Sequence, residues 1–132
     1  MKQNFLSVLF VGATVVVSAG IGLAHHSQSA EFDRTQTVEF TGTVKAIEWT
    51  NPHGYVQVEV EGADGVLSIY KVEISAPNGL YRNGWRRDSV KPGTVVTFMG
   101  SPSRDPESTH VSGQMSLPDG TVAFRGSGPA RN

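Results

Sequence analysis

Apolar and polar residues alternate along most of the chain between residues 37 and 125, and no window holds a helical apolar stripe for three turns. A period of two sends successive side chains to opposite faces of a strand, so the pattern predicts a half-buried β-domain. Turn-forming Gly, Pro and Asp residues separate the alternating segments. The predicted strands are Val38–Trp49, Val56–Val60, Val66–Ile74, Thr94–Gly100, Val111–Leu117 and Thr121–Arg125.

The first predicted strand changes phase along its length. Val38, Phe40 and Val44 share one face, whereas Ile47 and Trp49 carry the apolar character on the opposite phase. A change of phase inside one long strand indicates a β-bulge or a sharp bend.

The segment between the third and fourth strands is too rich in glycine for a long helix. Residues 77–85 predict one or two helical turns, with Pro77 near the start and Gly84 at the C-terminal stop. Three strands, a short helical connection and two or three further strands form the order of an OB-like barrel of five to six strands. A generic small sandwich or another barrel is the alternative.

The first 24 residues are typical of a cleavable signal peptide. Lys2 supplies a positive start, residues 5–23 are apolar apart from Ser7, Thr14 and Ser18, and Gly22 and Ala24 are the small residues that a signal peptidase reads. A second cut, after Gly20, is open. An uncleaved membrane anchor is the alternative, because about 19 apolar residues can span a bilayer. The small residues and the missing basic flank favour cleavage, and hence a periplasmic or secreted protein.

Cleavage after Ala24 leaves 108 residues with 10 basic and 12 acidic side chains, a net charge of −2 with histidine neutral. This balance argues against nucleic acid or a membrane surface as a partner. With no cysteine the domain must be held by its hydrophobic core alone. We expect a polar N-terminal arm over residues 25–36, the β-domain over 37–125 and a disordered tail over 126–132.

The four histidines are the candidate metal ligands. His25 and His26 lie at the expected new N-terminus, His53 follows Asn-Pro in the first inter-strand connection, and His110 opens the fifth strand. If His25 is the first residue, its α-amine and ring nitrogen can chelate a metal, and another imidazole would complete a set that suits Cu(II). If Ala24 is retained, His26 becomes the third residue, a different copper-binding arrangement. The alternative is an ordinary polar leader.

The Asn-Pro-His turn is the most distinctive feature inside the domain. Pro52 fixes its own φ and restricts Asn51, and Gly54 permits an unusual backbone angle, so we expect His53 to be held in place. In an OB-like barrel this connection and the one before the fifth strand border the usual binding face. His53 and His110 could therefore approach each other. Trp49 and Tyr55 would form an aromatic floor. The alternative is a purely structural turn, in which Asn51 bonds local backbone.

A cluster of arginines surrounds Trp85. Arg82, Arg86 and Arg87 could bind an anionic group, but we expect them to pair with neighbouring Asp and Glu residues. No catalytic constellation is recognisable, so we expect no enzymatic activity. A histidine-brace oxidase would use a similar N-terminus, but a chain of 108 residues leaves little room for a substrate platform.

A set of short segments between residue 24 and about residue 100 carries a resemblance to a known family. The segments are Ala24-His25-His26-Ser27, Phe32-Asp33, Gly42-Thr43-Val44, Trp49-Thr50-Asn51-Pro52-His53, Val72-Glu73, Leu80 with Arg82, Gly84-Trp85 and Lys91-Pro92-Gly93. They resemble domain of unknown function family 6152, a family of small exported bacterial proteins, and Trp-x-Asn-Pro-His is the most specific of them. The chain departs from the family at Tyr70, where Trp is expected, and at Pro106, where Gly is usual. The resemblance implies export and one small β-domain, and it implies no activity.

Together these observations predict an exported, non-enzymatic binding protein that takes copper or another divalent metal through histidines. The alternative is an interaction or accessory module of a cell-envelope complex without metal, in which the Asn-Pro-His turn and Trp85 contact a protein. The candidate metal ligands are His25, His26, His53 and His110, and the candidate ligand- or partner-binding residues are Trp49, Asn51, Tyr55, Arg82 and Trp85.

Overall fold

The alternating segments form six strands and one short helix in the computed structural model, which describes residues 30–125. The predicted signal peptide, His25, His26 and the predicted tail lie outside the described residues. Each predicted strand and the short helix are confirmed, with ends that shift by a few residues. The elements are β1 (Val38–Glu48), β2 (Gly54–Glu61), β3 (Leu67–Ile74), α1 (Pro77–Arg82), β4 (Val95–Pro102), β5 (His110–Ser116) and β6 (Val122–Arg125).

Five of the strands close into a barrel, and β6 is an additional strand at the side of β5. The sheet runs in the order β3-β2-β1-β4-β5-β6, and closure comes from parallel pairing of β3 with β5. In this register Lys71 lies opposite His110, and Glu73 lies opposite Ser112. The OB-like barrel with one short helical connection, predicted from the order of elements, is therefore confirmed.

The long first strand, β1, pairs with two neighbouring strands. Its first half pairs with β4 and its second half pairs with β2, and the register shifts between Val44 and Ala46. This irregularity is the predicted bulge. Gly42 lies just before it, where a Cβ atom would be 2.7 Å from Val58 Cγ1 and in collision with the Glu59 carbonyl oxygen. Only glycine lets β1 approach β2 this closely.

The inward side chains of all six strands fill the barrel. Leu80 of α1 and Val90 close the core on one side. Burial of each large apolar side chain contributes about 1.5–3 kcal/mol, so the fold needs no covalent cross-link. The strand residues of the core are Val44, Val56, Val58, Val72, Ile74, Val96, Phe98, Val111, Met115, Ala123 and Phe124.

A short segment before β1, residues 32–36, is attached to the barrel, and we call it the anchor segment. Phe32 is 2% exposed and forms an isolated bridge with Ser103, while the Asp33 amide donates to the Pro102 carbonyl at 2.9 Å. The compact unit that contains the barrel begins at Phe32. The polar composition of residues 25–36 concealed this apolar contact, because one buried side chain leaves no periodic pattern.

Asp33 stabilises the turn of the anchor segment. Its carboxylate accepts hydrogen bonds from the Thr35 hydroxyl at 2.7 Å, the Thr35 amide at 3.0 Å and the Gln36 side chain at 2.9 Å. These bonds, those from Thr35 above all, lower the pKa of Asp33 below 3.8.

Among residues 30–125, no helix has the length and apolar character that a bilayer crossing requires.

Candidate functional site

The loop between β1 and β2 places His53 at the outer face of the barrel. The Thr50 hydroxyl donates to the His53 carbonyl at 2.8 Å, the Asn51–Pro52 peptide bond is cis, and Asn51 is exposed. Gly54 does not use the backbone freedom that glycine permits, since its φ is not positive. Glycine is needed there for space, because a Cβ atom would lie 2.9 Å from the Glu48 carbonyl oxygen.

Glu73 lies at the centre of the site. It occupies an outward position of β3, opposite to the core-facing Val72 and Ile74, and yet it is only 2% exposed. Its Oε1 atom lies 3.0 Å from Nδ1 of His53, and its Oε2 atom lies 3.9 Å from Nε2 of His110. The two histidines singled out in the sequence thus meet at the two oxygens of one buried carboxylate, and we call these three residues the histidine–glutamate cluster.

Aromatic rings cover the cluster. Tyr55 lies beside His110 with ring centroids 5.4 Å apart, and Phe32 of the anchor segment meets the His110 ring edge-on at 5.1 Å. The Lys71 ammonium lies 4.0 Å from the centre of the Tyr55 ring. A buried carboxylate costs several kcal/mol unless polar partners compensate it, so the imidazoles are part of what makes the burial of Glu73 tolerable.

The geometry assigns different roles to the two nitrogens of His53. Nδ1 faces the carboxylate, so Nε2 is the ring nitrogen on the side away from Glu73, and the side chain is 26% exposed. A carboxylate behind one imidazole nitrogen fixes the ring orientation and raises the basicity of the other nitrogen. This arrangement orients metal-binding histidines and also general bases.

The cluster is not a complete metal centre by itself. Within residues 30–125, no group of three or more His, Cys, Asp or Glu side chains is arranged to hold a metal ion. The side chain of His110 is 18% exposed and so is more enclosed than that of His53. The candidate ligands His25 and His26 lie outside the described residues.

The predicted aromatic floor of Trp49 and Tyr55 is divided between two places. Tyr55 packs on His110, whereas Trp49 stacks on Tyr81 of α1, with ring centroids 5.4 Å apart and planes 20° from parallel. The short helix provides this second stacking surface, which the strand pattern could not indicate.

The arginines do not pair with acidic residues as expected. Among residues 30–125 no ion pair includes Arg82, Arg86 or Arg87. Arg86 instead donates to the carbonyl of Trp85 at 2.8 Å. The Trp85 ring packs on Phe124 at 5.2 Å and lines a groove of about 420 Å³ between α1 and β6.

Glu73 is the residue that the sequence reasoning missed. Glu73 occupies an outward position of β3, where acidic residues are ordinarily solvated, so the alternation of the sequence did not predict its burial. The one available signal was the resemblance, because Val72-Glu73 belongs to the matching segments.

The fold and site define a small, closed OB-like β-barrel protein that carries two histidines on a buried glutamate at its outer face. The sequence matches the family of unknown function DUF6152 over residues 13–112, and the chain belongs to this family. The matched region includes all three residues of the histidine–glutamate cluster. No curated protein matches the sequence significantly.

Proposed function

We propose that this protein is exported and acts in the periplasm as a non-enzymatic binding protein for a divalent transition metal, Cu(II) foremost. His53 is the anchoring ligand. The observation that carries the proposal is the 3.0 Å contact between His53 Nδ1 and the buried Glu73 carboxylate. The predicted signal peptide supports export, and this support comes from the sequence.

The chemistry of His53 favours a transition metal over a hard cation. Imidazole nitrogen suits copper, zinc and nickel, and Cu(II) binds most tightly among the divalent first-row metals at such ligands. The negative charge of Glu73 lies directly behind the ring and favours a cation at Nε2. Ca²⁺ and Mg²⁺ prefer oxygen ligands, which makes them poor occupants of this position.

Substitution of the other candidate residues, one at a time, identifies which of them bind the metal together with His53. His110 is the second candidate within the cluster, because it shares Glu73 with His53. His25 and His26 are candidates on sequence grounds, and their contribution depends on a free α-amine at the mature N-terminus. Each candidate can therefore be tested by its own substitution.

Isothermal titration calorimetry with Cu(II) and Zn(II) tests the proposal on protein purified from the periplasm. Intact-mass spectrometry first establishes the N-terminal residue. We expect His53→Ala to abolish Cu(II) binding or to weaken it by at least about a hundredfold. We expect Glu73→Gln to weaken it by about tenfold to a hundredfold, the usual effect of losing the carboxylate behind a ligating histidine.

Glu59→Gln is the matched control, since it removes a carboxylate on β2 that pairs with Lys45 at 3.2 Å and lies outside the cluster. It should leave Cu(II) affinity within about twofold of wild type. Binding that survives His53→Ala but is lost in the His25→Ala/His26→Ala variant would place the metal at the leader alone and refute the role of His53.

A further inference from the structure

We propose that Arg86 and Arg87, together with the neighbouring Arg82, form a surface that binds an acidic peptide segment of a partner protein. We call it the arginine surface. This inference is independent of metal binding, because none of the three arginines belongs to the histidine–glutamate cluster.

Aromatic rings hold two of the guanidinium groups. Arg86 lies 5.5 Å above the centre of the Tyr81 ring, and Arg87 lies 5.8 Å from the centre of the Trp49 ring. Tyr81 and Trp49 are themselves stacked, so each ring of the pair carries one guanidinium. A cation–π contact of this length attracts a guanidinium to the ring without using up its N–H donors.

Backbone contacts fix Arg86 further. One of its terminal nitrogens donates to the Tyr81 carbonyl at 3.2 Å and to the Trp85 carbonyl at 2.8 Å. An arginine that is held in place loses less conformational entropy when it binds a partner, which makes binding tighter. Arg86 and Arg87 are both exposed residues.

Within residues 30–125, no carboxylate neutralises the positive charge of the arginine surface. All three arginines are exposed, and none forms an ion pair with another residue of the described range 30–125. By contrast, Lys45 pairs with Glu59 on the barrel wall. An unpaired cationic surface on a chain with more acidic than basic residues is complementary to an anionic partner.

The arrangement favours carboxylates of a peptide over a lipid surface. A guanidinium fork matches a carboxylate with two parallel hydrogen bonds. A membrane-binding surface would need exposed apolar side chains beside the cations. Among the described residues, Tyr81, which is 37% exposed, is the one exposed large apolar side chain beside the arginines, and Trp49 has its indole nitrogen buried. The others lie on or beside β3 and β4 and are Val66, Leu67, Ile69, Val95 and Met99.

A groove adjoins the arginine surface and distinguishes a peptide from a free anion. Trp85, whose carbonyl accepts the Arg86 hydrogen bond, also lines the groove of about 420 Å³ together with Leu80 and Asn83 of the α1 region. This volume is large enough for one side chain of a bound peptide. The best-fitting partner is therefore an acidic peptide segment that places one side chain in the groove.

Fluorescence anisotropy tests the proposal with a fluorescein-labelled peptide of six glutamates around one phenylalanine, titrated with the full exported protein. We expect Arg86→Gln/Arg87→Gln to weaken binding by at least about tenfold. The charge-matched control is Lys45→Gln/Arg104→Gln, which removes the same charge elsewhere and should change affinity by less than about twofold.

Arg87→Lys examines the guanidinium fork itself. Arg87 makes no hydrogen bond within the described residues, so we expect this variant to fold as the wild type does. It keeps the charge, and we expect binding to weaken by about threefold or more because lysine cannot form the paired hydrogen bonds. Circular dichroism melts verify that each variant is folded.

Several results would overturn the proposal. These are no binding by the wild-type protein, equal weakening by the two double variants, and Arg87→Lys indistinguishable from wild type. Sedimentation with phosphatidylglycerol vesicles and competition by inorganic phosphate form two further arms. Vesicle binding without peptide binding would identify a lipid surface. If inorganic phosphate displaces the labelled peptide as effectively as the unlabelled peptide does, the surface is a simple anion site.

Discussion

The histidine–glutamate cluster and the arginine surface treat charge in opposite ways, although both are built from the chain that follows β1. In the cluster, a carboxylate is buried and two imidazoles lie at its oxygens. At the arginine surface, guanidinium groups stay exposed, and aromatic rings hold them without neutralising them. Trp49 contributes to the second region and His53 to the first.

The buried carboxylate of Glu73 needs compensating neighbours for the protein to fold, whereas the exposed guanidinium groups do not. A buried carboxylate without partners would destabilise the native state, so the cluster and its covering residues are coupled to stability. Exposed arginines cost the fold almost nothing and keep their binding capacity for an external partner. Substitutions in the histidine–glutamate cluster should therefore lower the free energy of unfolding, whereas substitutions in the arginine surface should lower only the affinity for a partner.

The largest effect on stability is expected from Phe32→Ala, which removes the apolar contact of the anchor segment with His110. We expect the free energy of unfolding to fall by about 3 kcal/mol, the usual cost of truncating a buried phenylalanine. Urea denaturation measures it. Phe32→Leu keeps most of the volume and should cost less than about 1.5 kcal/mol. A loss below about 1 kcal/mol for Phe32→Ala would mean that the anchor segment does not cover the cluster.

A smaller loss, of about 2 kcal/mol, is expected from Glu73→Ala, because it breaks the hydrogen bond to His53 and leaves a gap beneath the two imidazoles. Glu59→Ala, which removes an exposed pair with Lys45, is the control and should stay within about 0.5 kcal/mol of wild type. Similar losses for both variants, measured by urea denaturation, would erase the distinction between buried and exposed charge.

The arginine surface should show the opposite behaviour. Arg86→Gln/Arg87→Gln is expected to change the free energy of unfolding by no more than about 0.5 kcal/mol, since both side chains are exposed and unpaired with carboxylates. Thermal melts followed by circular dichroism measure this change. A loss comparable to that of Glu73→Ala would show that the stacked rings depend on the arginines and that the surface is structural.

The smallest effect concerns the pH dependence of the anchor segment. Hydrogen bonds from Thr35 lower the pKa of Asp33, so its carboxylate stabilises the folded state fully above the unfolded pKa of about 3.8. This contribution disappears as the pH falls through the lower folded pKa. The difference in stability between wild type and Asp33→Ala should therefore shrink below about pH 3.8, as measured by urea denaturation at several pH values.

Asp119→Ala is the matched control for this experiment. Asp119 accepts the Thr121 amide at 2.8 Å, and its pKa is lowered in the same direction, but it lies in the turn before β6. It should show the same pH window, whereas only Asp33→Ala should alter the NMR signals of the His110 ring. Changes at His110 in both variants would mean that the anchor segment has no special relation to the cluster.

Much of the barrel was predictable because its determinants are local. Alternation located each strand, the change of phase in Val38–Glu48 indicated the bulge, and Pro77 and Gly84 bounded the short helix. His53 and His110 could be selected as candidates because the order of elements placed their loops at one face. The position of Glu73 between them could not be predicted, since it requires the parallel register of β3 with β5.

The arginine surface illustrates the same limit. The cluster of arginines was visible in the sequence, and so was Trp49, but 35 residues lie between Trp49 and Trp85 and nothing in the pattern relates them. The stack of Trp49 on Tyr81 arises only when α1 packs beside the end of β1. Expectation of salt bridges with nearby acidic residues failed because sequence proximity does not set side-chain direction.

The amino-acid sequence by itself determined the strand positions, the bulge, the short helix and the barrel class, since hydrophobic alternation and turn chemistry act over a few residues. Tertiary structure alone decided which outward side chains are covered and which charges meet. Those outcomes depend on closure of the barrel by strands distant in sequence and on the packing of Phe32 against His110. Whether a charged group is solvated or buried is a property of its neighbours in space.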